Sequence, residues 1–291
     1  MNATVQTPKS VSPTWLRFKD AFRRHPTAIF GGVVLLLMIL IAIFAPWLAT
    51  ADPQATVPAL RLKPPSEQSL FGTDMLGRDV YSRVLHGSRI SLAVGLAVAA
   101  LSTGLGLAIG LVTGYLRWVD SIVMRVMDGL MSIPQILLAV ALMALTRGSV
   151  GNVIVAITVA EIPRVARLVR GVVLTLREQP FVDAAVAAGT RTPMILWRHI
   201  LPNTLAPIIV QATYICASAM IIEAILSFIG AGTPPITPSW GNIMAEGRAL
   251  WQVKPFIVFF PAIFLSITVL AVNLMGDGLR DALDPRMAHE V

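Results

Sequence analysis

Cysteine is nearly missing from this chain of 291 residues. Cys216 is the only one and lies in an apolar run, which excludes an intrachain disulfide and a thiolate metal cluster built within the chain. His25, His86, His199 and His289 are too scattered to pair as ligands, so no metal site is expected. No glycine precedes Lys9, Lys19, Lys63 or Lys254, and the phosphate-cradling loop of nucleotide-binding proteins is therefore absent. No acid–base or nucleophile constellation stands in its place, so the chain does not read as an enzyme. Charge is scarce as well. Only 13% of residues are charged against 55% hydrophobic, with a mean hydropathy of +0.73, which is too apolar for a soluble domain. The formal net charge of +7 does not point to nucleic acid, because the basic residues flank the apolar runs in the manner of topology signals.

What is present is a series of long apolar stretches. At about 20 residues per crossing they predict an all-α, polytopic membrane protein with six transmembrane helices. A basic leader over 1–27 stays in the cytoplasm, and 28–49 forms an uncleaved first span. Residues 50–90 form an external loop, 91–278 form the membrane domain with an inner loop over 175–204, and 279–291 form a cytoplasmic tail. Within the membrane domain, spans are predicted from Ser91 to Tyr115, Ser121 to Leu145, Asn152 to Leu174, Leu205 to Ile229 and Pro255 to Leu274. Gly95, Gly104, Gly106, Gly110 and Gly114 predict close helix packing in the second span. Pro134 predicts a kink in the third, where Arg125 and Asp128 are spaced to neutralise one another. Even parity puts both termini inside.

Two acids lie in predicted spans. Glu161 interrupts the fourth, with Arg164 three residues on as its partner, and Arg164, Arg167 and Arg170 read as cytoplasmic-end charges that snorkel. Glu223, in the fifth, either lines a pathway or anchors a neighbouring helix. Outside, Gly72-Thr73-Asp74 and Gly77-Arg78-Asp79 carry turn chemistry, glycines beside short acids that bond their own backbone. Pro238-Ser239-Trp240-Gly241 suits an interfacial loop or short re-entrant helix.

A polar and charged stretch between spans runs from Asp183 to Pro202. Ala184, Ala185, Ala187 and Ala188 form helix without bulk, Gly189 can end it in a left-handed conformation, and Thr192-Pro193 can cap and start a second helix. A compact helix-turn-helix knob is predicted.

Asp183, Ala184, Ala185, Gly189 and then Ile200, Leu201 and Pro202 resemble the "EAA" loop of permease subunits of bacterial ATP-binding-cassette importers, with Asp183 where Glu is usual. The outer Gly-Thr-Asp-x-x-Gly-Arg-Asp string resembles the signature of the dipeptide, oligopeptide and nickel permeases, read either as an ion-paired turn or as a substrate contact. The Pro-Ser-Trp-Gly string and the end from Asn273 to Arg286 resemble further signatures of that family. Relatives often carry Ser-Trp-Pro where this chain has Glu161-Ile162-Pro163. The resemblance implies a type I importer permease of the second, C-type kind in the bacterial inner membrane, supplying half of a peptide translocation pathway and no chemistry. It implies as partners a second homologous permease, two ATPase subunits that hold ATP and Mg, an external substrate-binding protein and membrane lipid. The other class that the sequence leaves open is a secondary transporter or channel acting alone, with Glu161 and Glu223 as ion sites. No self-similarity between the halves of the chain supports it.

Overall fold

A computed structural model describes residues 26–283; the leader up to residue 25 and the tail beyond 283 lie outside the described residues. Ten helices follow in order. They are α1 (Pro26–Leu48), α2 (Val80–Tyr115), α3 (Arg117–Met131), α4 (Gln135–Ala144), α5 (Val150–Leu176), α6 (Pro180–Ala187), α7 (Thr192–Ile195, continued by a π turn over Leu196–Ile200), α8 (Leu201–Phe228), α9 (Trp240–Gly247) and α10 (Phe256–Leu283). Among the described residues there is no strand, only an isolated bridge between Thr73 and Asp79.

The bundle is organised by α2 and α5, whose contact is the most extensive. Gly106, Gly110 and Gly114 recur every four residues along one face of α2, and a Cβ on each would lie 2.5–2.6 Å from the Cβ of Val165, Val169 and Val173. That approach replaces the hydrophobic effect, which does not operate between helices in lipid. Gly95 meets α8 at Met220 and Cys216 in the same way, whereas Gly104 faces open space and takes no part. On the other flank α1 packs along α10.

Among the described residues, four helical stretches are long and apolar enough to cross a membrane: α1, α2, the continuous rod Thr192–Phe228 and α10. The pair α3–α4 makes a fifth if a helix pair bent by 90° counts as one span. The charges of α5 at 161, 164, 167 and 170 keep it outside that set.

Several expectations are corrected. The second helix starts at Val80 rather than Ser91, because Asp79 caps it and the polar residues Ser82, Arg83 and Ser88 are buried within the fold. The third predicted span is broken, not kinked. Pro134 has an extended ψ of 131° and stands as the N-cap of α4, which at ten residues is about 15 Å long and half a crossing. Helix α5, by contrast, runs uninterrupted through Glu161 and Pro163. Asp128 pairs with Arg167 instead of Arg125, and Arg170 grips Asp120 at 2.5 and 2.7 Å, so these arginines lock α5 to α3 rather than snorkelling.

Candidate functional site

The outer turn is built on two glycines in the left-handed region, Gly72 at φ +77° and Gly77 at φ +76°. A Cβ at Gly77 would lie 1.9 Å from the Val57 carbonyl oxygen, so the position requires glycine twice over. The turn places Asp74 so that Oδ1 accepts from the backbone N–H of Leu76 at 2.7 Å and of Arg78 at 3.0 Å. Its Oδ2 receives Arg78 Nε at 2.6 Å and faces Arg83 Nε at 3.7 Å. Both guanidiniums then converge on Glu246 of α9, at 2.5 Å from Arg78 and 3.0 Å from Arg83. Burial pushes the Glu246 carboxyl above its usual range, against the pull of Arg83 and Arg78. Asp79 accepts from Ser82 N–H at 2.8 Å, Ser82 Oγ at 2.7 Å and Thr50 Oγ1 at 3.1 Å, which ties the end of α1 to the start of α2. The Thr73 hydroxyl donates to the Leu60 carbonyl and accepts from Lys63 N–H.

Gly72, Thr73, Asp74, Gly77, Arg78 and Asp79 are thus brought together, and the polar side chains among them bond within the chain. This is the geometry of an ion-paired turn. The sequence reading missed Glu246, which lies 168 positions from Arg78. No local signal points to it, since the acid lies on a distant helix and Arg89, the arginine in local excess, is exposed. Trp240, expected at an interface, is fully buried, and its Nε1 donates to the Val84 carbonyl at 3.1 Å. It packs α9 against α2.

At the other end, α6 closes in a Schellman motif. Thr190 N–H bonds to the Ala185 carbonyl at 3.0 Å, Gly189 N–H to Val186 at 2.9 Å, and Gly189 has φ +75°. Asp183 sits in the first turn of α6, where the helix dipole favours an acid. The second helix starts one residue earlier than expected, with Arg191 at the N-cap position and Thr192 making no capping bond. Val182, Ala185, Ile195 and Ile200 are buried and fix the knob to the core, while Leu201 is half-buried. Ala185 therefore faces inward, whereas Asp183, Ala184, Gly189 and Pro202 are exposed. Four large apolar side chains are exposed with them: Phe181, Val186, Met194 and Trp197, the last at 73%. The motif residues read from the sequence do not include these four, since apolar character alone does not tell an inward residue from an outward one on a short helix.

The two acids differ. Glu223 is fully buried and accepts from Ser227 Oγ at 2.8 Å on its own helix and from Ser91 Oγ at 3.4 Å on α2. This is the geometry of an anchor between helices. Glu161 is also fully buried, but it borders a cleft of about 480 Å³ through Gln135 and Ser218, which line that cleft and both donate to Glu161 Oε1.

The described residues contain no group of three or more His, Cys, Asp or Glu side chains placed to hold a metal ion. A long-helix bundle with a fastened outer turn and a protruding inner knob is the architecture of a type I importer permease. A chain of the MetNI methionine ABC transporter in an inward-facing conformation shares the fold, with a TM-score of 0.57 over 69% of this chain and 97% of that one at 22% identity. The chain belongs to the family described as binding-protein-dependent transport system inner membrane component, whose model matches residues 87–289. A second model, the N-terminal TM domain of oligopeptide transport permease C, matches residues 14–65. Among curated relatives, a probable peptide ABC transporter permease of Sinorhizobium fredii is 53% identical over 264 residues, covering 91% of this chain and 90% of the relative. A glutathione transport system permease of Escherichia coli is 43% identical over 282 residues, covering 96% and 93%. A dipeptide transport system permease of Alkalihalophilus pseudofirmus is 42% identical over 279 residues, covering 96% and 91%. The chain is a permease subunit of an ABC importer, a multi-pass protein of the inner membrane and a transport subunit rather than an enzyme.

Proposed function

We propose that this chain is the second permease of a peptide importer and forms half of its translocation pathway beside a homologous permease. The observation that carries this reading is the inner knob, where Phe181, Val186, Met194 and Trp197 stand exposed on a base fixed by Val182, Ala185, Ile195 and Ile200. A clustered apolar surface at an aqueous face is a docking surface. Its partner in this reading is one of two ATPase subunits, which hold ATP and Mg, while a substrate-loaded binding protein docks on the outer face. ATP-driven closure of the ATPases moves the knob, and the knob moves the spans. The peptide assignment rests on the names of the relatives.

The chain crosses the membrane six times, by α1, α2, α3–α4, α5, the rod and α10, with both termini and the knob in the cytoplasm. In a Cys216→Ala background, a cysteine at Ser66 reacts with an impermeant thiol reagent in intact cells and one at Thr190 does not; the reverse pattern sinks the topology. For coupling, Trp197→Ala weakens association with the ATPase by about 2 kcal/mol, roughly thirtyfold, while membrane insertion stays intact. Wild-type uptake and substrate-stimulated ATP hydrolysis by this variant would remove the coupling role.

A further inference from the structure

Between α4, α8 and α10 lies the open cleft of about 480 Å³, lined chiefly by apolar side chains such as Ile221 and Ile225 and by four polar residues: Gln135, Tyr214, Ser218 and Asn273. Two of these have already committed their protons. The Ser218 hydroxyl donates to Glu161 Oε1 at 3.3 Å, and the Tyr214 hydroxyl donates to Asp277. A hydroxyl whose proton points at a carboxylate presents lone pairs to whatever else approaches. Gln135 is held likewise, its amide nitrogen donating to Glu161 and its amide oxygen accepting from Arg164 Nη2 at 3.4 Å.

Behind this wall Glu161 is not fully satisfied. It is 0% exposed, and its Oε2 is buried without a hydrogen-bond donor. The nearest cation is Arg164 Nη1 at 3.7 Å, on a side chain that is itself 53% exposed. Because Arg164 stands off at 3.7 Å and half in the open, the Glu161, Gln135 and Ser218 corner is where a buried carboxylate oxygen lies without a hydrogen-bond donor. A buried carboxylate with an unpaired oxygen at membrane depth costs several kcal/mol unless a cation or water completes it, which makes it a functional group by default.

We propose that this cleft is a cation-binding subsite, in which Glu161, acting through Gln135 and Ser218, selects the primary ammonium group of a transported solute. The proposal rests on the reading that the chain forms half of the pathway, and it assigns that half a charge preference of its own, separate from the selectivity of an external binding protein. The acceptor-rich corner faces the ammonium, and the isoleucines of α8 face the solute's apolar part. Solutes that carry only a carboxylate meet lone pairs and an anion at the same corner and are disfavoured.

The test uses the assembled transporter in lipid nanodiscs, with Cys216→Ala and a reporter cysteine, Ile221→Cys, on the cleft wall. Two thiol reagents of matched size are compared, one ending in a trimethylammonium group and one in a sulfonate, with each rate divided by its rate on a free thiol in solution. The cationic reagent reacts about tenfold faster, and ethylammonium slows it while acetate does not. Glu161→Gln brings the ratio to near unity and abolishes the ethylammonium effect, whereas Glu161→Asp retains both. A reactive cysteine with no charge preference, or a preference unchanged by Glu161→Gln, overturns the proposal and leaves the pathway reading standing. A cysteine unreactive to both reagents overturns both, because the cleft would then lie off any aqueous route.

Discussion

The outer turn and the inner knob carry the two most recognisable motifs of this chain, and they use their residues in opposite ways. At one end Asp74, Arg78, Arg83 and Glu246 pair with one another, Asp79 bonds Ser82 and Thr50, and Arg83 is fully buried. At the inner face the motif spends only Val182, Ala185, Ile195 and Ile200 on the protein's own core and leaves Trp197, Met194, Val186 and Phe181 exposed. A motif can thus mark residues that the chain buries in its own ion-paired turn or residues that it leaves exposed. Burial, not sequence identity, separates the two cases. The glycines make the same point. Gly77 and Gly189 have nearly equal φ, +76° and +75°, but a Cβ on Gly77 would strike the Val57 carbonyl, while one on Gly189 meets nothing within 4 Å.

The contrast can be broken most forcefully at Glu246. Glu246→Ala removes the acid shared by two guanidiniums, one fully buried, and is expected to cost about 3 to 4 kcal/mol. The check is the thermal midpoint of the detergent-solubilised assembly, and a change under about 1 kcal/mol would mean that the outer lock is not one. Next comes Gly77→Ala, at about 3 kcal/mol from backbone strain plus a clash with a backbone atom that cannot rotate away. Gly189→Ala should cost only about 1 kcal/mol, the strain without the clash. Equal losses at Gly77 and Gly189 would erase the distinction between the two sites. The smallest expected effect sharpens it: Trp197→Ala should shift the stability of the permease by less than about 0.5 kcal/mol while it impairs ATPase association. A large loss of intrinsic stability there would show that the knob is packed by its own chain after all.

Local chemistry was legible and distant chemistry was not. The alanine run and Gly189 predicted a helix and its terminator, because a Schellman ending depends on residues within one turn. The glycine stripe of α2 was legible for the same reason, although its match to Val165, Val169 and Val173 required the partner helix. The start of α2 was misplaced because Ser82, Arg83 and Ser88 make 80–90 look like loop by hydropathy. Nothing in that window reveals that Thr50 and Glu246, the partners of Ser82 and Arg83, arrive from elsewhere, or that Ser88 is satisfied by the Leu85 carbonyl of its own helix. The right angle between α3 and α4 was hidden because the apolar run across Pro134 is continuous, and what turns the chain includes the grip of Arg167 and Arg170 on α3 from a different helix. Glu161 was singled out and Arg164 named as its partner. Gln135 and Ser218, which place it beside the cleft, were invisible until the helices were assembled.

The rod from Thr192 to Phe228 runs for 37 residues as one continuous helical span, roughly 55 Å at 1.5 Å per residue. It carries Met194 and Trp197 at its inner end, Ser218 in the cleft, and Glu223 and Ser227 at its fastened outer end. Swung about that end, it would act as a lever with a short arm and a long one. Trp197 lies about 39 Å from the Glu223 pivot and Ser218 about 7.5 Å, by the same rise per residue. A stroke of about 5 Å at the Trp197 end would then reach Ser218 as about 1 Å, the ratio of the two arms. Such gearing would turn coarse travel at the Trp197 end into an adjustment at the cleft on the scale of a single hydrogen bond.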